Sequence, residues 1–138
     1  MEFQGPRPKF LVADDVPVLA LLVSELLQEA GADVVGPAAD GAEALRLFHE
    51  ISPDGVVLDI EMPVLNGLQV LRAIRSSERE TRCLVIILTS HSEPSMREQA
   101  YTEGADYFLQ KATESERLLQ IVPDFINQRG ASVPTSSM

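Results

Sequence analysis

Short apolar runs alternate with longer amphipathic segments along most of the chain. Five runs, several of them rich in Val and Ile, predict β-strands at residues 10–13, 32–38, 55–60, 84–90 and 106–111. The third and fourth runs are almost wholly apolar, as strands buried on both faces of a parallel sheet are. Because helical segments separate the runs, the pattern predicts an α/β fold in which helices cover both faces of a parallel sheet.

Five helices are predicted between and after these strands. In the first, residues 18–30, the apolar positions recur at three- and four-residue steps: Leu19, Leu22, Val23, Leu26 and Leu27. The others are predicted at residues 40–50 after an Asp40 cap, after an Asn66 cap, at residues 94–103, and after a capping box of Thr113 and Glu116. Pro123 predicts a kink or an early end in the last helix, because an interior proline removes a hydrogen bond.

The two ends of the chain lack apolar periodicity. Residues 1–8 and 130–138 carry Gly, Pro and Ser, which predicts a frayed N-terminal extension and a flexible C-terminal tail. One domain at residues 9–129 remains. A chain of 138 residues, of which 45% are hydrophobic, suits one domain with an ordinary core.

Charge and composition exclude several classes of function. The net charge is −10, with 21 acidic and 11 basic residues, which argues against direct binding of nucleic acid. No apolar run approaches the roughly 20 residues of a membrane span, and the N-terminal residues lack the apolar segment of a signal peptide. The single cysteine, Cys83, is compatible with a reducing compartment and a packing role. We therefore expect a cytoplasmic protein that has no membrane partner.

Polar side chains stand where four of the five predicted strands end. The carboxyl ends of parallel strands share one edge of the sheet, and ligands bind in the crevice outside it. Asp14 and Asp15 lie at the end of the first strand and Asp59 at the end of the third. Thr89 lies at the end of the fourth strand and Lys111 at the end of the fifth. We expect these side chains to meet at one site.

The residue types indicate the chemistry of this site. One Asp after the first strand is explained by capping of the next helix, but two adjacent acids are not. Three clustered carboxylates repel one another unless a cation joins them or one is protonated. Mg²⁺ is the usual hard cation, and it is commonly held by carboxylates together with a phosphate oxygen. An Asp carboxylate can itself attack phosphorus to give an aspartyl phosphate, while an ammonium and a hydroxyl stabilise the phosphoryl oxygens.

The set of residues, its order and its spacing resemble the receiver domain of two-component response regulators, of the chemotaxis-regulator type, over about residues 9–129. The resemblance implies a flavodoxin-like (βα)5 fold with strand order 2-1-3-4-5. It also implies that Asp59, in "VVLDIEMPVLNG", accepts a phosphoryl group from a sensor histidine kinase or a histidine phosphotransfer protein.

The resemblance further implies a Mg²⁺ site. Asp15 and Asp59 would be direct ligands, Asp14 would act largely through water, and the backbone carbonyl of Glu61 would complete the set. Glu61 and His91 would flank the path of the attacking water and so tune the lifetime of the phosphate.

Three more positions match functional positions of the family. Thr89 matches the switch hydroxyl, Lys111 the phosphate-binding lysine and Phe108 the switch aromatic, although Tyr107 competes for the last role because a one-residue slip exchanges the faces of a strand. The family usually has proline after the lysine, often with a cis bond, whereas this chain has Ala112. That departure leaves the reach of Lys111 open, since a cis bond before a non-proline residue costs about 2.5 to 4 kcal/mol.

These observations predict a signalling module and not an enzyme. Phosphorylation would bias a two-state equilibrium, and the surface of the fourth helix, fifth strand and fifth helix would change its affinity for an unknown downstream protein. The module would be a monomer or a phosphorylation-dependent dimer. One alternative is a haloacid-dehalogenase-like phosphatase, but that family has a second Asp where this chain has Glu61. Another is a degenerate receiver that signals without phosphorylation.

Overall fold

The computed structural model describes residues 7–77, 82–91 and 93–136 of the chain. Five parallel strands form one sheet in the order β2-β1-β3-β4-β5, which confirms the predicted fold. The strands are β1 (Lys9–Ala13), β2 (Asp33–Ala38), β3 (Gly55–Leu58), β4 (Leu84–Thr89) and β5 (Tyr107–Gln110).

Helices connect the strands and cover both faces of the sheet. They are α1 (Pro17–Glu29), α2 (Gly41–Ile51), α3 (Gly67–Ser77), α4 (Pro94–Thr102), α5 (Lys111–Glu114) and α6 (Leu118–Ser136), with a 3₁₀ turn at Ser115–Arg117 between the last two. Within the described ranges, no helix has both the length and the apolar character needed to cross a membrane.

Alternating side chains of the strands feed two apolar clusters, one on each face. Phe10 belongs to the cluster beneath α1 and α6, whereas its neighbour Leu11 belongs to the cluster beneath α2, α3 and α4. The same alternation continues along β4, where Ile86 and Ile87 face opposite sides and are fully buried. The two layers bury the central strands on both faces, and the strands position the residues just beyond their ends.

Two predicted helix caps are confirmed by side-chain hydrogen bonds. Asp40 Oδ1 accepts the amide of Glu43 at 2.8 Å at the start of α2. Asn66 Oδ1 accepts the amide of Gln69 at 2.9 Å before α3, and the Gln69 side chain accepts the Asn66 amide in return. Both caps satisfy amides that would otherwise lack a partner in the first helical turn.

The predicted start of the last helix is wrong. Thr113 lies inside α5 instead of capping a helix, and the Glu114 carboxylate accepts the amide of Gln110 at 2.9 Å. Of the two outcomes predicted at Pro123, a kink or an early end, the early end is wrong, because α6 continues through this residue. Pro123 is near the start of α6, where it removes one hydrogen bond, while buried Ile121 and Val122 hold the helix to the sheet.

Hydrogen bonds and helical structure continue outside residues 9–129, the domain whose boundaries the sequence predicts. Arg7 lies within the predicted N-terminal extension, yet its Nε is 3.1 Å from Asp33 Oδ1 and its guanidinium donates to the carbonyl groups of Gln28 and Ala32. Residues 1–6 lie outside the described residues. At the other end, α6 extends to Ser136, well beyond the expected boundary at residue 129.

The orientation of α1 differs from the prediction. Its buried residues are Ala20, Val23, Ser24 and Leu27, which follow a regular helical stripe. Leu22 was expected on this stripe, but 52% of it is exposed. Ser24 can take a buried position because its hydroxyl donates to the Ala20 carbonyl at 2.8 Å. With leucine and valine on several sides of α1, apolar periodicity does not specify which side faces the sheet.

Candidate phosphorylation site

Asp14 and Asp59 lie side by side because they follow two neighbouring strands. Asp14 comes directly after β1 and its amide donates to the Ala38 carbonyl at 3.0 Å, while the Asp59 amide donates to the Ala13 carbonyl at 3.0 Å. Only 5% of Asp14 and 6% of Asp59 are exposed. The parallel ladder therefore brings two carboxylates into a nearly dry position, where each needs a cationic partner.

Lys111 supplies such a partner from the other side of the site. Its Nζ lies 2.7 Å from Asp14 Oδ2 and 3.0 Å from Asp59 Oδ2. Burial lowers the pKa of Lys111, but the hydrogen bonds and charges of the two carboxylates outweigh it, so the net effect is a raised pKa and a charged ammonium. Among the described residues, the one cis peptide bond is Gly36–Pro37, so the bond from Lys111 to Ala112 is trans. The ammonium reaches both carboxylates with that geometry.

A third carboxylate, Asp15, joins this pair. One carboxylate oxygen from each of Asp14, Asp15 and Asp59 lies within 4.8 Å of the others. Asp15 is exposed, whereas the other two are buried. Asp14 Oδ1 accepts the amide of Val16 at 3.0 Å, but no side chain caps α1, so capping does not explain the acidic pair. One ammonium cannot balance three carboxylates, and this set of oxygen donors suits a hard divalent cation.

Thr89 ends β4 at the same edge of the sheet. The register pairs Leu58 with Ile87, so the continuation of β4 to Thr89 runs alongside Asp59. Thr89 is fully buried and its Oγ1 accepts the amide of His91 at 3.2 Å. Its hydroxyl hydrogen remains available to donate to an oxygen bound in the site.

Phe108 and Tyr107 lie on opposite faces of β5. Phe108 is 3% exposed and belongs to the cluster on the α4 side, together with Ile87, its partner on β4. Thr89 lies two residues after Ile87 on β4, so its side chain is on the same face of the sheet. Tyr107 packs against the cluster beneath α1 and α6. Of the two aromatic residues, Phe108 therefore shares a face with Thr89.

An ion pair between two loops crosses the rim of the site. His91 Nε2 lies 2.6 Å from Glu61 Oε2, and His91 Nδ1 lies 3.4 Å from Glu93 Oε1. The hydrogen bond that His91 Nε2 donates to the Glu61 carboxylate is the main reason that the pKa of His91 is raised above its usual value. Glu61 and His91 are predicted from the sequence to flank the path of the attacking water, and the structure shows the two side chains in contact.

The comparisons with known proteins agree with this geometry. The family model described as the response regulator receiver domain matches residues 10–123. The chain belongs to the response regulator receiver domain family. It is 36% identical over 133 residues to the probable transcriptional regulatory protein NarL of Mycobacterium tuberculosis, which covers 96% of this chain and 61% of NarL. It is 29% identical over 119 residues to the chemotaxis protein CheY of Bacillus subtilis, which covers 86% of this chain and 98% of CheY.

Solved receiver domains have the same fold. The receiver domain of NarL from Mycobacterium tuberculosis superposes with a TM-score of 0.79 at 35% identity, covering 87% of this chain and 96% of that one. The receiver domain of the Francisella response regulator 1452 superposes with a TM-score of 0.78 at 31% identity, and the match covers 90% of this chain and 99% of that one. Receiver domains of response regulators are generally regulatory proteins and not enzymes. Neither the phosphatase alternative nor the degenerate receiver is favoured by these matches.

Some residues around the receiver site were not predicted. Tyr101 and Arg97 on α4 both contact the backbone of Phe108. Their spacing of four residues on a weakly apolar helix is a signal that the pair faces one neighbour. The close backbone contacts at Gly41 and Gly67 were not predicted either. Apart from the glycine itself, a single sequence carries no signal that two backbone segments approach closely at that residue.

Proposed function

We propose that this receiver accepts a phosphoryl group on Asp59 from a sensor histidine kinase or a histidine phosphotransfer protein. The contact of Lys111 Nζ with the buried carboxylates of Asp14 and Asp59 supports the proposal most directly. In this contact an ammonium lies beside the carboxylate to which we assign the role of nucleophile, at the edge of the sheet where ligands bind in folds of this kind. Positioning and charge are the main requirements of phosphoryl transfer.

Mg²⁺ is the cofactor that these residues fit. Asp15 and Asp59 would hold it directly, Asp14 would act through water, and the backbone carbonyl of Glu61 would complete the protein ligands. The cation supplies positive charge that neutralises phosphoryl oxygens during transfer.

The chain's own residues then account for the transfer. An Asp59 carboxylate oxygen attacks phosphorus, the new oxygen–phosphorus bond replaces the phosphorus–nitrogen bond to the donor histidine, and the imidazole leaves. The Lys111 ammonium turns from the carboxylates to one phosphoryl oxygen. The Thr89 hydroxyl donates to another.

The signal leaves the site through Thr89 and Phe108. A Thr89 side chain drawn towards the phosphoryl group vacates space on the face of the sheet that it shares with Phe108, and the ring moves inward. This biases the surface of α4, β5 and α6, the last of which is the fifth helix predicted from the sequence, between two states with different affinities for a downstream protein.

The phosphate donor docks on α1. Val18, Leu21 and Leu22 are 61%, 56% and 52% exposed on this helix, which begins directly after the acidic pair. A groove of about 350 Å³ beside α1 is lined by leucines and by Lys111, so it opens next to the site. Its rim carries Glu25 and other acidic residues. An amphipathic helix with apolar anchors and flanking basic residues, close to the donor histidine, complements this surface.

The output is binding to a protein rather than direct binding to nucleic acid. The chain spans 61% of NarL and 54% of the transcriptional regulatory protein PrrA of Mycobacterium tuberculosis, so the activities of those whole proteins do not transfer to it directly. With a net charge of −10, this chain would be repelled by a phosphate backbone. It acts as a monomer or as a phosphorylation-dependent dimer, without catalytic turnover of its own.

Intact-mass measurement after incubation with acetyl phosphate tests the proposal. The wild type should gain one phosphoryl group in the presence of Mg²⁺ and none in EDTA. Asp59→Asn, which keeps the size of the side chain, should gain none in either buffer. A wild type that stays unlabelled in Mg²⁺, or an Asp59→Asn variant labelled as fast as the wild type, contradicts the assignment.

A further inference from the structure

The loop between β3 and α3 is closed by a tight contact at Gly67. The Gly67 amide donates to the Ile60 carbonyl at 2.8 Å, and a Cβ on Gly67 would lie 2.3 Å from the Asp59 carbonyl oxygen. Two backbone segments thus approach too closely for any side chain. The loop begins and ends beside the phosphoacceptor.

A second glycine supports the middle of this loop from α2. The Gly41 amide donates to the Pro63 carbonyl at 3.3 Å. A Cβ on Gly41 would lie 2.0 Å from the Leu65 carbonyl oxygen and 2.6 Å from the Leu65 Cβ. The nearest atom belongs to the backbone, so rotation of a side chain cannot relieve the overlap. The loop would have to move.

The loop takes a strained turn where it meets α2. The Leu65 amide donates to the Pro63 carbonyl at 2.8 Å across Val64, whose φ is 72°. A β-branched residue in this region costs on the order of 1 to 3 kcal/mol and persists where the surrounding structure over-determines it. Leu65 packs against the core on the α2 and α3 side. The two glycine contacts and this packing fix the backbone from Ile60 to Gly67.

We propose that Gly41 is a positioning residue for the phosphorylation site. By letting the loop rest against the start of α2, it fixes the backbone at Glu61 relative to Asp59, and with it the carbonyl that would bind the cation. This inference rests on the proposed Mg²⁺ site. Gly41 acts through the loop, since the nearest atoms that a Cβ on it would meet belong to Leu65.

Gly41→Ala in the full chain tests this role. The Mg²⁺ dissociation constant, taken from the rise of Tm with Mg²⁺ concentration, should increase about tenfold or more, as it does when supporting residues of a metal site are lost. Acetyl phosphate labelling should show the same shift in its Mg²⁺ midpoint. At saturating Mg²⁺ the labelling rate should return to within about threefold of the wild type. A merely structural role would lower Tm without moving either midpoint.

Gly31→Ala is the matched control. Gly31 has a φ of 108° and a Cβ on it would lie 3.3 Å from Ile126, so the substitution strains a helix end at the opposite edge of the sheet. It should lower Tm and leave the Mg²⁺ midpoint unchanged.

Leu65→Ala keeps the inference testable if Gly41→Ala does not fold. It loosens the loop without a backbone overlap, and the Mg²⁺ midpoint should rise several-fold. A folded Gly41→Ala with the wild-type midpoint, or an unfolded Gly41→Ala together with a Leu65→Ala of wild-type midpoint, overturns the inference. Failure of the wild type to bind Mg²⁺ overturns the proposed function instead, so the two failures are distinguishable.

Discussion

Helices α1 and α4 both begin beside the candidate site, but they are attached to the sheet in different ways. The buried stripe of α1 includes Val23 and Leu27, while Leu21 and Leu22 remain more than half exposed. In α4, Ala100 is the one buried residue. One helix is anchored by apolar side chains and has apolar side chains to spare. The other has almost none.

Polar contacts hold α4 in place instead. The Tyr101 hydroxyl accepts the Phe108 amide at 3.0 Å, and the Arg97 guanidinium lies 5.6 Å from the Tyr101 ring centroid and 5.8 Å from that of Phe108. Arg72 on α3 donates to both carboxylate oxygens of Glu103 just after α4. Such contacts have specific geometry and small net energies, so α4 can change position at low cost.

The difference suggests a division of labour between the two helices. A surface that recognises the phosphate donor must be present before phosphorylation, and exposed leucines on a firmly anchored helix meet that requirement. A surface that reports phosphorylation must change its conformation, and α4 meets this second requirement because it is held by a few hydrogen bonds. The following substitutions test each half of this comparison.

The largest effect is expected on α1. Leu21→Glu with Leu22→Glu should slow phosphotransfer from a phosphorylated histidine phosphotransfer domain by at least roughly 10- to 100-fold, because burying even one of the two leucines contributes about 1.5 to 3 kcal/mol. Labelling by acetyl phosphate should be unchanged. The donor used would be the phosphotransfer domain that, among a panel of such domains, transfers its phosphoryl group to the wild type fastest. The transfer rate would be measured as the loss of labelled phosphate from the donor.

Gln120→Glu is the control for an added negative charge, one where the double variant adds two, because Gln120 is an exposed residue of α6. It should transfer at the wild-type rate. If the double variant transfers as fast as the control, the exposed leucines of α1 are not the docking surface.

A smaller effect is expected on α4. Tyr101→Phe removes the acceptor of the Phe108 amide and should lower the free energy of unfolding by about 1 kcal/mol. Hydrogen exchange of that amide, followed by NMR, should accelerate, while labelling of Asp59 by acetyl phosphate should persist. Tyr107→Phe removes the same atom from the other face of β5 and should leave exchange at Phe108 unchanged. Equal exchange in all three proteins would show that the hydroxyl does not hold α4.

The sequence predicts the sheet and the acidic site better than it predicts these helix surfaces. Strand ends are specified by short apolar runs, and parallel topology brings Asp14, Asp59 and Lys111 together whatever the helices do. The buried side of α1 is not specified, because Leu22 and Val23 are equally apolar. The contact of Tyr101 with Phe108 depends on how α4 packs against the sheet. The proposed positioning role of Gly41 depends on the path of the loop between β3 and α3, which is distant from it in sequence. These features follow from tertiary packing, which local patterns do not encode.

The smallest effect concerns the contact between Arg72 and Glu103. The hydrogen bond from Arg72 is the main cause that lowers the pKa of Glu103 below its usual value. Since the carboxylate is favoured in the folded state, its stabilisation is present above the pKa of an unfolded Glu, about 4.3, and is lost as pH falls through the lower folded value. Glu103→Gln should therefore be slightly less stable than the wild type at pH 7, and the stabilities of the two proteins should converge as the pH falls below about 4.

Urea unfolding at both pH values measures the difference in stability, and 0.5 M salt should shrink that difference at pH 7 because exposed charges are screened. A difference that grows on acidification would mean that Glu103 holds α4 through its neutral form, and the attachment of α4 would then not depend on this charge pair.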